Sequence, residues 1–191
     1  MVAATSAAAT LRDWHPPDAG QAALRQAFLG FLDARPDACD RRCVPGHLTA
    51  STVLLDAAGE HVLLTLHRRV GRWVQLGGHC EVGDLSLAGA ALREATEESG
   101  IDGLVLDPEP LHLDVHPVTC SLGQPTRHFD VRFTAHAPAG AQPSVSAESL
   151  DVRWWPVGAL PAEEPGELDS IAALVARARE HAQRRQKSNW S

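Results

Sequence analysis

The stretch from Gly77 to Ile101 constrains the fold more than any other part of the chain. Two glycines, Gly77 and Gly78, follow a strand-like run, and Gly100 closes a helix-sized segment. Small and apolar side chains recur in that segment at helical spacing and predict one packed helix face. They are Ala88, Ala91, Leu92, Ala95 and Ser99. The sequence therefore predicts a strand, a glycine turn and a helix in direct succession.

Three glutamates share one ridge of this predicted helix. Glu94, Glu97 and Glu98 stand at positions i, i+3 and i+4, so their carboxylates lie on the same side. Like charges at these distances repel, and a hard divalent cation such as Mg²⁺ or Mn²⁺ would remove the repulsion. The alternative is a solvated acidic face on which Arg93 pairs with Glu97.

The ends of the helix carry their own signals. Asp84 or Ser86 can cap its start, because either side chain can accept a hydrogen bond from the first turn. Gly100 suits the left-handed position that commonly follows a helix. The helix is therefore predicted to begin within a few residues of Asp84 and to end at Ser99.

From Gly78 onward the stretch resembles the Nudix box, whose pattern is G-x5-E-x7-R-E-U-x-E-E-x-G-U, with U a bulky aliphatic residue. Five residues follow Gly78, Asp84 takes the first acidic position, and residues 93–101 match the second half. Three positions depart from the pattern. Asp84 replaces Glu, eight residues rather than seven separate it from Arg93, and Ala95 is smaller than usual. The first two departures fall at the loop-to-helix junction, where an added residue is easiest to absorb.

The resemblance implies an α/β fold, namely an α/β/α sandwich with a mixed β-sheet between helices. The predicted Nudix domain spans 47–187, with the box at 77–101. Residues 1–46 are then an N-terminal extension that contains one helix.

The resemblance also implies a metal-dependent hydrolase that cleaves the diphosphate linkage of a nucleoside diphosphate derivative by water attack on phosphorus. Carried over residue by residue, Glu94, Glu97 and Glu98 bind Mg²⁺ or Mn²⁺, and the carbonyl of Gly77 completes the metal shell. Glu94 or Glu98 also handles the proton of the attacking water. The remaining box residues support the loop and helix structurally; they are Gly78, Asp84, Arg93 and Gly100.

A glutamate outside the box is a further catalytic candidate. Glu148 lies in a Ser-rich stretch, 144–149, just before a predicted strand. In several Nudix enzymes a glutamate from a late loop orients or deprotonates water. The resemblance implies that role for Glu148, and the alternative is an exposed loop carboxylate.

A basic loop precedes the box and supplies candidate substrate contacts. Arg68, Arg69 and Arg72 can bind phosphate, with ordinary solvated surface as the alternative. Because the chain contains no tyrosine, a base must stack on Trp73, Trp154, Trp155, a phenylalanine or an arginine, and Trp73 is the candidate beside the basic loop. A core position is the alternative for each tryptophan. Pro117, sixteen residues after Ile101, weakly suggests an ADP-ribose-type substrate.

The composition and net charge limit the classes of molecule that the protein is expected to bind. The chain has 191 residues, 44% of them hydrophobic, and a formal charge of −7. This acidic balance argues against a nucleic-acid polymer or an anionic membrane as the main partner. A small-molecule nucleotide derivative remains compatible with it, and the sequence leaves homodimer formation open. No signal peptide or 18-residue apolar run is seen, so a cytoplasmic protein is expected.

The cysteines are interpreted as thiols. Cys39, Cys43 and His47 have the spacing of part of a zinc site, but Pro45 and Gly46 interrupt it and no fourth ligand is nearby. A chain expected in a reducing compartment more commonly keeps Cys39, Cys43, Cys80 and Cys120 reduced.

The rest of the pattern predicts alternating strands and helices. Residues 1–18 are expected to be loosely ordered. The predicted elements are helices at 21–33 and 170–185 and strands at 47–55, 61–66, 73–76, 104–115, 128–135 and 151–157. The strand at 128–135 alternates, and its polar face is expected to line a cleft; that face carries His128, Asp130, Arg132 and Thr134.

A second function is compatible with the same fold. A Nudix-fold module can bind or sense a nucleotide without cleaving it, usually after losing the box glutamates. All three glutamates are present in this chain, which favours an enzyme.

Overall fold

The computed structural model describes residues 2–69, 71–119, 123–146, 149–162 and 171–188, which form four helices and seven strands. The helices are α1 (Ala4–Asp13), α2 (Ala19–Ala34), α3 (Leu87–Ser99) and α4 (Ile171–Ser188). The strands are β1 (His47–Leu55), β2 (His61–His67), β3 (Trp73–Val74), β4 (Leu76–His79), β5 (Val105–Thr119), β6 (Pro125–His136) and β7 (Ser149–Pro156).

The seven strands form one sheet in the order β3-β2-β1-β6-β5, with β4 paired to β1 and β7 paired to β2. β1 and β2 are antiparallel, with Leu54 opposite Leu63. β5 ends this order, and an edge position suits a strand that contains prolines, here Pro108, Pro110 and Pro117. The sheet, its helices and the N-terminal helical extension confirm the predicted α/β fold class.

The chain divides into two compact units, each of which is built from three segments. The first unit comprises Met1–Ser51, Gly77–Arg93 and Asp107–Phe133. In it α1 packs on α2, and α2 packs on β6 through aromatic rings. Phe31 stacks on Phe129 at a centroid distance of 4.2 Å, and Phe28 meets the same ring edge-on at 5.2 Å. The N-terminal extension therefore contributes core to this unit.

A buried glutamine joins α2 to the edge strand β5 of the first unit. The side-chain amide of Gln21 donates to the carbonyl of Leu113 at 3.0 Å, and its oxygen accepts from the Leu113 N–H at 2.7 Å. The backbone N–H and carbonyl of Leu113 are thus both hydrogen-bonded without a further strand beside β5. Asp18 caps α2 by accepting from the backbone N–H of Gln21 at 2.9 Å, which fixes this end of the helix.

The second unit comprises Thr52–Leu76, Glu94–Leu106 and Thr134–Ser191. Its centre is the antiparallel pair of β2 and β7, which runs from His61 opposite Pro156 to His67 opposite Ser149. The register of this pairing shifts between Leu66 and His67, near the end of β2. Val62, Leu63 and Leu64 of β2 are buried, and β1, β3 and β7 all pair with this strand.

The prediction of a loosely ordered N-terminus is wrong. Residues 4–13 form α1, and Ala7, Ala8 and Leu11 are buried in it. Alanine has the highest helix propensity, and a short helix becomes stable when one face packs on a neighbour. Pro16 and Pro17 follow the end of this helix and do not prevent it.

The predicted glycine turn after residues 73–76 is also wrong. The segment divides into β3 and β4, and Gly77 and Gly78 lie inside β4. Gly77 has a φ of 154°, and a Cβ atom there would overlap the side chain of Ser51 on β1. The glycine lets β4 approach β1 closely, which a larger residue would prevent. The other predicted elements have boundaries within four residues of those found.

Within the described residues, none of the helices has the length and apolar character needed to cross a membrane.

Candidate active site

The glutamate ridge lies on α3. Glu98 is buried, with 6% of its surface exposed, whereas Glu94 is half-buried and Glu97 is exposed. All three belong to the second unit. Gly77, predicted to supply a further metal ligand, belongs to the first unit, and its role stays a prediction.

Ser86, rather than Asp84, caps α3. Its Oγ accepts a hydrogen bond from the backbone N–H of Gly89 at 3.0 Å. At the other end, Gly100 has a φ of 65°, and its N–H donates to the carbonyl of Thr96 at 2.8 Å. Both ends are therefore held by the local interactions that helix termini require.

Asp84 links the box loop to the helix in the first unit. Its carboxylate accepts two hydrogen bonds from the Arg93 guanidinium, both at 3.0 Å, and one from the backbone N–H of Glu81 at 2.7 Å. Arg93 also donates to the carbonyl of His79 at 2.9 Å. Burial alone would raise the pKa of Asp84, but the bonds from Arg93 and Glu81 bring it below its usual range. These contacts support a structural role for Asp84 and Arg93.

We expect Asp84→Asn to reduce turnover less than Glu98→Gln. The amide keeps an acceptor oxygen for the loop but weakens the pairing with Arg93, so the main cost is about 1–3 kcal/mol of unfolding free energy. Chemical denaturation and metal titration of both variants measure the two effects separately. Equal losses of turnover and of metal affinity would instead indicate that Asp84 binds the metal directly.

The C-terminal end of α3 is held by the loop that leads towards β7. The N–H of Ser144 donates to the carbonyl of Ser99 at 2.8 Å, and a Cβ atom on Gly100 would collide with the Ser144 hydroxyl. Glu148, the predicted catalytic residue of this loop, lies outside the described residues. Ser144 is four residues before it along the chain, so the loop is joined to the helix of the glutamate ridge.

The basic loop before β3 belongs to the second unit. Arg68, Arg69 and Arg72 are exposed, and the Arg68 guanidinium donates to the carbonyl of Ser149 at 3.4 Å. This contact attaches the basic loop to the start of β7. The exposed guanidinium groups remain compatible with both phosphate binding and ordinary surface.

Trp73 forms an aromatic cluster with β7. Its indole meets Trp155 edge-on at 5.2 Å, and the Arg153 guanidinium lies over Trp73 at 4.9 Å. Arg153 also forms an ion pair with Asp151 on the same strand. Trp73 remains partly exposed, so the cluster presents an aromatic surface whose orientation is fixed by β7.

A buried polar network crosses three strands of the first unit. Asp130 accepts hydrogen bonds from Thr49 at 2.9 Å, Ser51 at 2.7 Å and Arg132 at 3.0 Å. Arg132 is 1% exposed and also pairs with Asp114 at 3.2 Å. On the polar face of β6, expected to line a cleft, Asp130 and Arg132 are therefore engaged in internal hydrogen bonds and ion pairs.

Two residues of β5 that extend this network were not predicted as site residues. Asp114 and His116 of β5 pair at 2.6 Å, and the bond raises the pKa of His116. Burial alone would raise the pKa of Asp114, but His116 and Arg132 hold it below its usual range. The alternation of polar residues along β1 and β6 was a usable signal, whereas their pairing required the three-dimensional structure.

Three histidines of the first unit lie together beside this network. The rings of His47, His79 and His128 have pairwise centroid distances of 5.0, 5.1 and 5.1 Å. Burial and the neighbouring imidazole of His128 lower the pKa of His79 to about 3. Burial and the charge of His116 lower the pKa of His128 to about 4. These two rings are therefore neutral at pH 7.

The cysteines that the structure describes are buried free thiols: Cys39, Cys43 and Cys80. Cys39 and Cys80 share a hydrogen bond, which raises the pKa of Cys80 and lowers that of Cys39. The predicted thiol Cys120 lies outside the described residues. His47 contacts Cys43 through the backbone carbonyl at 3.3 Å rather than through the sulfur.

A surface depression of about 370 Å³ lies elsewhere in the second unit. The turn after β1, the 138–141 loop and Trp154 line it, as do Asp56 and His61, whose side chains form a hydrogen bond at 2.9 Å. It contains none of the residues predicted for catalysis or substrate binding.

Comparisons with known proteins agree on one family. The NUDIX domain family profile matches residues 45–175. No curated protein matches the sequence. Among solved structures, the chain is similar to a C. elegans Ap4A hydrolase binary complex, with a TM-score of 0.53 and 17% identity over 71% of this chain and 97% of that one.

Two further solved structures share the fold. An ADP-ribose pyrophosphatase from Streptococcus suis has a TM-score of 0.50 and 18% identity over 71% of this chain and 90% of that one. A UDP-X diphosphatase has a TM-score of 0.52 and 16% identity over 84% of this chain and 81% of that one. At these identities the likeness establishes the fold, whereas the substrates named belong to those proteins.

Proposed function

Because this chain belongs to the Nudix family and is a pyrophosphohydrolase of the Nudix type, we propose that it cleaves the diphosphate linkage of a nucleoside diphosphate derivative. The candidate substrates are a nucleotide sugar, an ADP-ribose-like compound and a nucleoside triphosphate. The observation that carries the proposal is the intact glutamate ridge on α3, which includes the buried Glu98.

The donor set of the ridge fits a hard divalent cation. Nudix hydrolases use divalent metal ions, and oxygen-only ligands suit Mg²⁺ or Mn²⁺. Glu94, Glu97 and Glu98 would hold the ion. The burial of Glu98 supports this assignment, because exclusion of water strengthens the interaction between a carboxylate and a nearby cation. When bound, such an ion neutralises diphosphate charge and orients or acidifies the attacking water.

The side chains of the protein carry the other parts of the reaction. Water attacks one phosphorus, the bond from that phosphorus to the bridging oxygen breaks, and a carboxylate accepts the water proton. Glu94, Glu98 or Glu148 is the proposed base. Ser86 and Gly100 support this chemistry indirectly, because they fix the two ends of the helix on which the ridge lies.

Substrate binding is proposed for the basic loop and its aromatic neighbour. Arg68, Arg69 and Arg72 supply positive charge for the phosphates, and Trp73 stacks on the base. The contact of Arg153 with Trp73 supports this role, since it holds the indole in one orientation. A rigid aromatic ring loses little entropy when it binds a base.

A screen for release of hydrolysis products, separated by ion-exchange chromatography, tests the proposed function, because cleavage of a diphosphate linkage generally yields two phosphate-containing products rather than free phosphate. The compounds are nucleoside triphosphates, ADP-ribose, UDP-sugars, dinucleoside polyphosphates, NADH and coenzyme A, each with Mg²⁺ and with Mn²⁺. We expect metal-dependent release from at least one nucleoside diphosphate derivative. Binding of a nucleotide without release from any compound would identify a sensing module instead.

We expect Glu148→Gln to lower kcat while KM and metal affinity stay nearly constant. A general base contributes about 10²–10⁴-fold to the rate, whereas a loop carboxylate that closes only over bound substrate contributes little to binding. Steady-state kinetics and metal titration measure the three quantities. A kcat within about twofold of wild type would leave Glu94 or Glu98 as the base.

A further inference from the structure

Three imidazoles from three strands converge in the first unit, where the proposed hydrolysis gives them no role. His47 lies on β1, His79 on β4 and His128 on β6. Each offers one ring nitrogen, and these nitrogens all lie within 4.8 Å of one another. Among the described residues, no other three side chains of histidine, cysteine, aspartate or glutamate bring their ligand atoms this close together.

The hydrogen bonding of two of these rings favours metal binding. Nδ1 of His47 lies 3.3 Å from the carbonyl oxygen of Cys43, so a proton on Nδ1 leaves the lone pair on Nε2. Metal-binding histidines commonly donate their other N–H to a backbone carbonyl in this way. Nε2 of His128 is buried and has no hydrogen-bond partner in the described part of the chain. An unsatisfied buried nitrogen is costly, and a bound ion is one of the arrangements that removes the cost.

The separations between the nitrogens suit a small dication. Zn²⁺–nitrogen bonds of about 2.0–2.1 Å in a tetrahedron place neighbouring ligand nitrogens about 3.3 Å apart. Nitrogens that lie within 4.8 Å of one another therefore need to close by no more than about 1.5 Å to reach this geometry.

We propose that His47, His79 and His128 form a binding site for a transition-metal dication, Zn²⁺ in the first place. Imidazole nitrogen suits Zn²⁺, whereas the carboxylates of α3 suit Mg²⁺ or Mn²⁺, so the two ligand sets select different ions. Three protein ligands leave a fourth tetrahedral position for water or for an oxygen of a bound molecule. The ion would also join β1, β4 and β6 within the first unit.

The site is tested by zinc titration of the full chain after removal of any affinity tag and of bound metal. We expect one Zn²⁺ per chain by calorimetry and by elemental analysis of the gel-filtered protein. His128→Gln and His47→Gln should each lower the affinity at least about 100-fold, since even residues that only support a ligand change it about 10–100-fold. His15→Gln is the matched control, because His15 is exposed and belongs to the same unit.

Two further measurements separate this site from other ligand sets. Glu98→Gln should bind Zn²⁺ as the wild type does, because its carboxylate belongs to the other set. Co²⁺ should give the intense visible bands of four-coordinate nitrogen ligation, without thiolate-to-cobalt charge transfer from Cys39 or Cys80. If His128→Gln does not fold, His47→Gln and the wild-type cobalt spectrum decide the result.

Three outcomes would overturn the proposal. The first is wild-type zinc affinity in a folded His128→Gln or His47→Gln protein. The second is loss of zinc binding on Glu98→Gln alone, which would assign the ion to α3. The third is a cobalt spectrum of six-coordinate oxygen ligation or of thiolate ligation.

Discussion

Glu98→Gln is expected to lower turnover at least about 100-fold while the protein stays folded, a loss of about 2.7 kcal/mol of transition-state stabilisation. The amide has nearly the size of the carboxylate but lacks the charge that would hold a divalent cation beside a diphosphate. Because Glu98 is buried, little solvent is available to replace the missing charge. Initial rates under saturating Mg²⁺, together with metal titration, measure the effect.

The control for this experiment is Glu180→Gln. Glu180 lies on α4, its side chain is 70% exposed, and it pairs only weakly with Arg184 at 3.9 Å. This control should keep turnover within about twofold of wild type, because an exposed ion pair contributes little. Unchanged turnover and metal affinity in Glu98→Gln itself would exclude the ridge as the metal site.

Asp130→Asn is expected to lower the free energy of unfolding by about 3 kcal/mol or more. The carboxylate serves two hydroxyls and the guanidinium of Arg132, and this guanidinium is 1% exposed. The neutral amide leaves a buried positive charge with less compensation, which is among the costliest changes in a protein interior. Urea denaturation followed by circular dichroism measures the loss.

A threonine substitution on the same strand serves as the control for burial. Thr126 lies on β6 with 7% exposure, and its hydroxyl has no hydrogen-bond partner in the described residues. Thr126→Val removes an unsatisfied polar atom, so stability should stay level or rise. A loss below about 1 kcal/mol for Asp130→Asn would mean that the network is held by its other members.

Local sequence patterns were sufficient to predict individual helices and strands. The helical spacing of Ala91, Ala95 and Ser99 predicted α3, and all three side chains are buried in it. The alternation of Phe129, Val131 and Phe133 predicted β6 in the same way. Such patterns succeed because the spacing of buried side chains follows directly from backbone geometry.

Contacts between distant segments could not be predicted from these patterns. Asp130 meets Thr49 and Ser51 across about eighty positions of sequence, and no local spacing encodes that pairing. The histidine cluster likewise depends on the register of three strands. A register shift of one residue in any of them would place its histidine on the opposite face of the sheet. Gly77 illustrates the same limit, because its closeness to Ser51 depends on where β4 lies against β1.

The amide of Gln21 has a consequence for solubility. β5 ends the strand order of the sheet, and an exposed edge strand offers unpaired backbone groups to other chains. Gln21 hydrogen-bonds to the backbone N–H and carbonyl of Leu113, in the interior of that strand. Gln21 lies in α2, outside residues 45–175, which match the family profile. A chain trimmed to the family match would expose this edge, and we expect it to aggregate at concentrations where the longer chain remains dispersed.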